Sequence, residues 1–140
     1  RAVPQTSATA RGYQGSIYAS VGASVAVARA LPRVTASIGS GGMIKAGSLE
    51  LRGLVLLGET HSAESFAEAG GVGLLAGANA AVSEARSGST VVVEMSSSLD
   101  VSGDAEIAAG NATSQMAQVT GVVGGLVAAG ASVASAVADS

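Results

Sequence analysis

The chain has no cysteine, no tryptophan and very few aromatic residues, two Tyr and one Phe in 140 residues. Without cysteine there can be neither a disulfide framework nor a thiolate metal site. Aromatic side chains bury roughly 150–250 Å² each, so a core without them must be assembled from many small side chains. Yet 48% of the residues are apolar, and most of these are Ala and Val. This composition favours a regular, repetitive architecture in which backbones approach closely.

The chain also lacks a concentration of positive charge. Seven basic and ten acidic residues give a net charge of −3, and only one of the basic residues is a lysine. A nucleic-acid-binding surface requires Lys and Arg gathered on one face, so we expect no nucleic-acid partner. The sequence begins at Arg1 and shows no signal peptide, and we interpret it as a mature segment or a piece of a longer protein.

A block of small residues occurs three times along the chain. Its copies are centred on Gly22, Gly77 and Gly130, which are 55 and 53 residues apart. Each copy follows a Gly-containing segment with an aliphatic pair, as in Gly73-Leu74-Leu75. The three copies therefore predict a repeat of about 54 residues.

The second half of the repeat recurs as well. Val34 to Ile38 matches Val91 to Met95, and Leu49-Glu50-Leu51 matches Ala105-Glu106-Ile107. We place the copies at about residues 6–59, 60–112 and 113–140, within a single segment that spans 1–140. Because the last copy is incomplete, we expect the array to continue, in a longer polypeptide or through assembly.

Within each repeat, side-chain character alternates with a period of two. Val21, Ala23 and Val25 share one parity, while Gly22 and Ser24 share the other. This alternation predicts β-strands, with each parity on its own face of a sheet, and it argues against helices in the Ala-rich stretches. Turns are predicted where Gly, Pro and Asn cluster, at residues 31–33, 39–42, 58–59, 86–88 and 110–111.

Short strands, frequent turns and a long repeat predict an all-β fold, a parallel β-helix or solenoid. With two or three coils of roughly 18–27 residues in each repeat, the chain would form some five to eight coils. Small inward side chains would then stack as ladders in a narrow interior. The alternative is a stacked-sheet or β-sandwich arrangement.

The repeats resemble those of large bacterial filamentous adhesins, the filamentous-haemagglutinin and leukotoxin-like proteins of two-partner or autotransporter-type secretion. The resemblance lies in the segment from Gly73 to Ala78, in Val34-Thr35-Ala36-Ser37-Ile38-Gly39 and in Ala46-Gly47-Ser48-Leu49-Glu50-Leu51. It implies a right-handed β-helix that is secreted to the cell surface. It also implies a role in adhesion, aggregation or extracellular-matrix building.

Candidate catalytic and phosphate-binding residues are sparse. His61 is the only histidine, near Glu59 and Glu64, and no nucleophile-elbow motif accompanies it, so we expect a solvated loop residue. The glycine-rich segments 39–42, with Lys45 nearby, and 70–73 lack the phosphate-binding and dinucleotide fingerprints. We expect no enzyme activity and no catalytic or cofactor-binding residues.

Asp100, Asp104 and Glu106 are close in sequence and could supply oxygen ligands to Ca²⁺. Their spacing matches no calcium-binding loop, and strand or turn positions explain them better. We therefore expect no metal-ligating residues and no cofactor, with Ca²⁺ kept as an alternative.

Residues 116–138 carry no charge, and Gly121 and Gly125 match a helix-packing pattern of membrane spans. The segment is one copy of a motif that carries Glu84 elsewhere, so we expect no membrane span. The aromatic residues Tyr13, Tyr18 and Phe66 could form contacts between filaments or fill corners of a coil.

These observations predict a structural or adhesive segment of an extracellular or cell-surface bacterial filament. It would act through stacked β-coils and through self-association, lateral or end to end, with a host or neighbouring cell surface as a further partner. The alternative is a glycan- or ice-binding face on the same scaffold, and a membrane-inserting Gly/Ala-rich segment is a weaker one.

Overall fold

The computed structural model describes residues 1–139, which contain twelve β-strands and no helix. The all-β prediction is confirmed, and Ser140, the last residue of the predicted third copy, lies outside the described residues. The strands are β1 (Thr6–Ser16), β2 (Ala19–Ala30), β3 (Arg33–Ile38), β4 (Met43–Ala46), β5 (Leu49–Val55), β6 (Ala63–Gly73), β7 (Ala76–Gly88), β8 (Thr90–Met95), β9 (Ser98–Val101), β10 (Ala105–Asn111), β11 (Gln115–Gly124) and β12 (Val127–Asp139).

Every pair of neighbouring strands is parallel, and the two partners lie one repeat apart in the sequence. The sheets have the orders β1-β6-β11, β2-β7-β12, β3-β8, β4-β9 and β5-β10. Paired residues are separated by 51 to 57 positions. Each complete repeat therefore contributes one strand to each of the five sheets, and the prediction of two or three coils per repeat is wrong. The turns within a repeat lead the chain from one sheet to the next, and it returns to the first sheet only after five strands.

In the second half of the repeat the predicted register is correct for β3 with β8 and for β5 with β10. It is one residue out for β4 with β9, where Lys45 pairs with Asp100 rather than with Val101, and in the first half it is shifted. Val34 pairs with Val91 and Leu49 with Ala105, as expected. The predicted alignment of the three central glycines is wrong, because Gly22 and Gly130 both pair with Asn79. A side chain at Gly130 would collide with the amide of Asn79. The absence of a side chain at Gly130 therefore leaves room for the side chain of Asn79.

Three of the five predicted turns separate strands, at residues 31–32, 39–42 and 58–59. Gly41 has a φ of +93°, a left-handed conformation that glycine adopts without steric cost. The turns predicted at 86–88 and 110–111 are wrong, because these residues are extended within β7 and β10. The sequence analysis also missed the breaks at 17–18 and 74–75, where large apolar residues rather than Gly or Pro connect the strands.

The main core lies between the sheet β1-β6-β11 and the sheet β2-β7-β12, which contact each other face to face. In β2 burial alternates at every residue, so the predicted period of two is confirmed. The buried parity consists of Ser, Gly and Ala, whereas the exposed parity carries Val21, Val25 and Val27. The smallest side chains therefore form the interior, and the valines face outward.

Small side chains are required because the two backbones nearly touch. A Cβ atom added to Gly71 would overlap the carbonyl oxygen of Ala78, and one added to Gly12 would overlap that of Ala23. Two clusters of alanines fill the remaining space, one around Ala67 and Ala81 and one around Ala63 and Ala85. Backbone approach, rather than bulky apolar contact, determines the width of this core.

The other half of each repeat encloses larger aliphatic residues. Strands β3 and β5 contact each other, as do β8 and β10, and β4 and β9 pair beyond them. Gly53 is buried because the side chains of Val91 and Val93 occupy the space beside it. This half is less closely packed, since most of its aliphatic residues are only half-buried.

Candidate functional site

The charged residues are segregated by repeat. We call β1–β5 (residues 6–55) the first layer, β6–β10 (63–111) the second layer and β11–β12 (115–139) the third layer. The first layer has five basic residues and one acidic residue, whereas the second has seven acidic residues and one basic residue. The third layer carries only Asp139. The net charge of the whole chain hides this polarity, and summing the charge over each repeat separately would have revealed it.

Ion pairs connect the basic first layer to the acidic second layer. They are Arg11–Glu68 at 2.9 Å, Arg29–Glu84 at 3.6 Å, Lys45–Asp100 at 3.9 Å and Arg52–Glu106 at 2.7 Å. Arg52 also contacts Glu50 at 3.0 Å, and its hydrogen bond to Glu106 raises the pKa of its guanidinium. The basic partners are exposed, while Glu68 and Glu84 are half-buried; ion pairs this open to solvent are individually weak. Together they stabilise one particular register between the strands of the first layer and those of the second.

Tyr13 makes a further contact between the first and second layers, through an uncharged side chain. Its hydroxyl donates a hydrogen bond to Glu68 at 2.8 Å. That hydrogen bond, followed by desolvation and the negative charge of Glu68, raises the pKa of the Tyr13 phenol. Glu68 therefore joins two first-layer residues, because it accepts from Tyr13 and pairs with Arg11.

Buried serine hydroxyls link the two sheets of the main core. Ser83 Oγ donates to the carbonyl oxygen of Ser65 at 2.7 Å, and Ser65 Oγ donates to the carbonyl oxygen of Ala26 at 3.0 Å. The amide of Asn79 likewise donates to the carbonyl oxygen of Ala69 at 3.2 Å. Ser20 and Ser24, buried in β2, have hydroxyls without a hydrogen-bond partner. The hydroxyls of Ser65 and Ser83 are thus bonded, whereas those of Ser20 and Ser24 and the Oδ1 atom of Asn79 have no partner.

The two main sheets are staggered, which leaves β12 overhanging. β2 contacts both β1 and β6, and β7 contacts both β6 and β11. β12 contacts β11 in the opposite sheet, and within residues 1–139 no second strand of that sheet makes a comparable contact with it. The inward parity of β12 is therefore exposed, whereas the corresponding residues of β2 and β7 are buried.

An apolar patch lies on the outer face of the sheet β2-β7-β12, before the charged end of that face where Arg29, Glu84 and Arg86 lie. Val25, Val82 and Val133 pair in register across its three strands, with exposed fractions of 64%, 39% and 56%. We call these residues the valine ladder. The neighbouring in-register row, Ala23, Ala80 and Ala131, is also exposed. Side chains this short leave the face even enough for another flat surface to approach it.

His61 lies in the loop between β5 and β6, but it is not the solvated residue that we expected. It is half-buried, and its Nδ1 atom is 3.0 Å from the hydroxyl of Ser114 in the next repeat. Together with Gln5, Thr60 and Glu64 it lines a shallow pocket. The expectation failed because the loop is covered by the equivalent loop of the third copy.

The three acidic residues considered for Ca²⁺ do not form a common site. Asp100 and Glu106 face Lys45 and Arg52 of the first layer. Among residues 1–139, no group of three His, Asp or Glu side chains is arranged to hold a metal ion. Of the glycine-rich segments, 39–42 is a turn, while 70–73 ends strand β6 at the inter-sheet contact.

The uncharged segment 116–138 forms most of β11 and β12. In the described part of the chain, no helix is long and apolar enough to cross a membrane. Tyr13 and Tyr18 are exposed, whereas Phe66 is half-buried on the outer face of β6.

Comparison with known proteins found no matching family model, no matching curated protein and no matching solved structure.

Proposed function

We propose that the chain is a structural and adhesive segment of an extracellular or cell-surface bacterial filament. Its five sheets would close into a parallel β-helix with one turn for each repeat. The observation that supports this proposal most strongly is the parallel pairing of equivalent residues one repeat apart in all five sheets. Connections between parallel strands of one sheet are nearly always right-handed, so the coil is proposed to be right-handed.

The proposed mechanism is mechanical. Ladders of backbone hydrogen bonds would run along the axis of the coil, so that a pulling force is shared among many bonds. The valine ladder would provide a lateral contact surface, since exposed contiguous apolar patches mark interaction sites. Location outside the cell is part of the proposal and is supported by the resemblance of the repeats to filamentous adhesins.

An ice-binding or glycan-binding face is less well supported. An ice-binding face needs threonines in one column, but Thr35 pairs with Val92 and Thr90 pairs with Arg33. Glycan recognition commonly uses exposed aromatic platforms. Tyr13 is exposed, but its hydroxyl is already bonded to Glu68.

Electron microscopy and X-ray diffraction of the concentrated, purified chain test the proposal. We expect filaments whose axial diffraction shows the strand spacing of about 4.8 Å. Binding of these filaments to bacterial or host cells would then test adhesion. A monomer that stays compact at high concentration and shows a helical circular-dichroism spectrum would contradict the proposal.

A further inference from the structure

The strands β11 and β12 form an open edge of the two main sheets. It has the same arrangement as the edge of β6 and β7 on which β11 and β12 themselves lie. The outward side chains of β12 resemble those of β2 and β7. Its inward side chains face one strand of the opposite sheet, β11, whereas those of β7 face two, β6 and β11. The inward residues Ser132, Ala134 and Ala136 are exposed. The equivalent residues of β7, among them Ala81, Ser83 and Ala85, are buried between β6 and β11.

We propose that this open edge binds the first layer of a second copy of the chain, head to tail. The incoming β1 would pair in parallel with β11, and the incoming β2 with β12. This inference rests on the proposed function and names the partner and the register of the end-to-end contact. It extends the interfaces that β6 already makes with β11 and β7 with β12.

The register follows from the pairs that already exist. Thr9 and Gln118 both pair with Phe66, one on each side. Continuing the stack places Thr9 of the second copy beside Gln118. In the same way Val25 of the second copy adjoins Val133, because both pair with Val82, and the valine ladder runs on across the junction.

The inner surfaces at this junction are sterically matched. The incoming β1 presents Ala8, Ala10 and Gly12, the half-buried inward parity of that strand. These side chains are as small as those that β6 and β11 present to β7. The approach is closest at Gly71, where even a Cβ atom would overlap the carbonyl oxygen of Ala78, whereas β11 has room for Val119 against the alanines of the core.

Charge favours the head-to-tail arrangement. In this stack the strands β8–β10 of one copy face β3–β5 of the next across a slot one strand wide, about 10 Å between backbones. The acidic second layer lies on one side of the slot, and the basic first layer lies on the other. At about 0.1 M salt this separation is comparable to the Debye length, so attraction survives. Joining two first layers would instead bring together two basic surfaces.

One charged residue of the third layer also fits this arrangement. Val137 would pair with Arg29 of the second copy, because both pair with Arg86. Asp139 lies two residues further on the same face of β12 and so sits diagonally from that arginine. Within the chain Arg29 reaches a carboxylate on the opposite diagonal, Glu84, which lies two residues before its register partner Arg86, at 3.6 Å.

A cysteine pair tests the register, and the natural chain has no cysteine to interfere. We expect Thr9→Cys/Gln118→Cys to form a ladder of disulfide-linked oligomers on oxidation, because paired strands bring Cα atoms within bridging distance. The two positions cannot join within one copy, since β6 lies between them. The control, Ser7→Cys/Gln118→Cys, is two residues out of register, about 8 Å between Cα atoms. Equal ladders from both variants, or none from either, would overturn the proposal.

Two single substitutions on β12 separate end-to-end from lateral contact. Ala134 is on the inward face and Ala131 on the outward face, and both are exposed in the single chain. We expect Ala134→Gln to weaken association by about tenfold or more, and Ala131→Gln to leave it nearly unchanged. Urea unfolding at low protein concentration verifies that both variants fold. If only Ala131→Gln disrupts filaments, this inference fails while the proposed function stands; if the unmodified chain forms no filaments, the proposed function itself fails.

Discussion

The hydroxyl of Ser83 donates a hydrogen bond to the main-chain carbonyl of Ser65, 2.7 Å away in the facing sheet. Both residues are completely buried. The bond therefore links two sheets whose interior otherwise consists mainly of alanine and glycine. Because it joins a side chain to backbone, it holds the sheets at a fixed separation without a large side chain between them.

Replacement of Ser83 by alanine is expected to lower the free energy of unfolding by about 1–3 kcal/mol, because a buried carbonyl loses its side-chain donor and Ser65 loses its neighbour. The matched control is Ser24→Ala. Ser24 is also buried, but its hydroxyl has no partner, and its register neighbour in β7 is already Ala81. We expect Ser24→Ala to be neutral or stabilising, as measured by urea unfolding. Equal destabilisation by the two substitutions would contradict the assignment of the hydrogen bond.

The close approach of the sheets predicts a large difference between two glycines. Gly71→Ala should destabilise the chain by several kcal/mol or prevent folding, because its Cβ atom would overlap the carbonyl oxygen of Ala78. Gly39→Ala is the control, since Gly39 has open space around it. Thermal unfolding followed by circular dichroism should show a near-normal midpoint for Gly39→Ala. A Gly71→Ala variant as stable as this control would mean that the sheets lie further apart than described.

The interlayer ion pairs predict a recoverable charge reversal. Arg52→Glu places three carboxylates together, with Glu50 and Glu106, and should lower the urea midpoint. The double variant Arg52→Glu/Glu106→Arg restores opposite charges across the layers, so its midpoint should exceed that of either single variant. Arg33→Glu is the control for net charge, because Arg33 pairs in register with Thr90 rather than with an acidic residue. Additive effects in the cycle would show that the two side chains do not interact.

The sequence predicted the strands better than their arrangement. Alternation identified β2 and β7 because small inward residues and valines occupy opposite faces, which is a local property of the chain. The number of coils in a repeat was predicted wrongly, because turns such as 39–42 reveal where a strand ends but not which sheet the next strand joins. The face of β2 that is buried was also difficult to predict, since hydrophobicity alone favours burying Val25 rather than Ser24. Only the near-contact of two backbones, visible at Gly71, explains why serine is inside.

The candidate surfaces were harder to predict than the fold. Arg11 and Glu68 are 57 residues apart, and their contact depends on the exact register, which a glycine-based alignment places two residues away from the true one. His61 looked like an isolated loop residue because nothing in the sequence places Ser114 beside it. The overhang of β12 depends on the stagger between sheets, and no sequence pattern reports such a stagger.

The raised pKa of Tyr13 predicts a pH-dependent contact between the first two layers. A tyrosine whose pKa is higher in the folded than in the unfolded chain stabilises the fold below its unfolded value, about 10. That contribution is lost as the pH rises through the folded value, because the phenolate can no longer donate to Glu68. Ultraviolet absorbance titration of a Tyr18→Phe variant would follow Tyr13 alone. Adding Glu68→Ala should lower the pKa of Tyr13 toward its ordinary value, with circular dichroism verifying the fold at each pH. An unchanged titration curve would show that Glu68 does not accept this hydrogen bond, so that the Tyr13–Glu68 contact between the first and second layers is absent in solution.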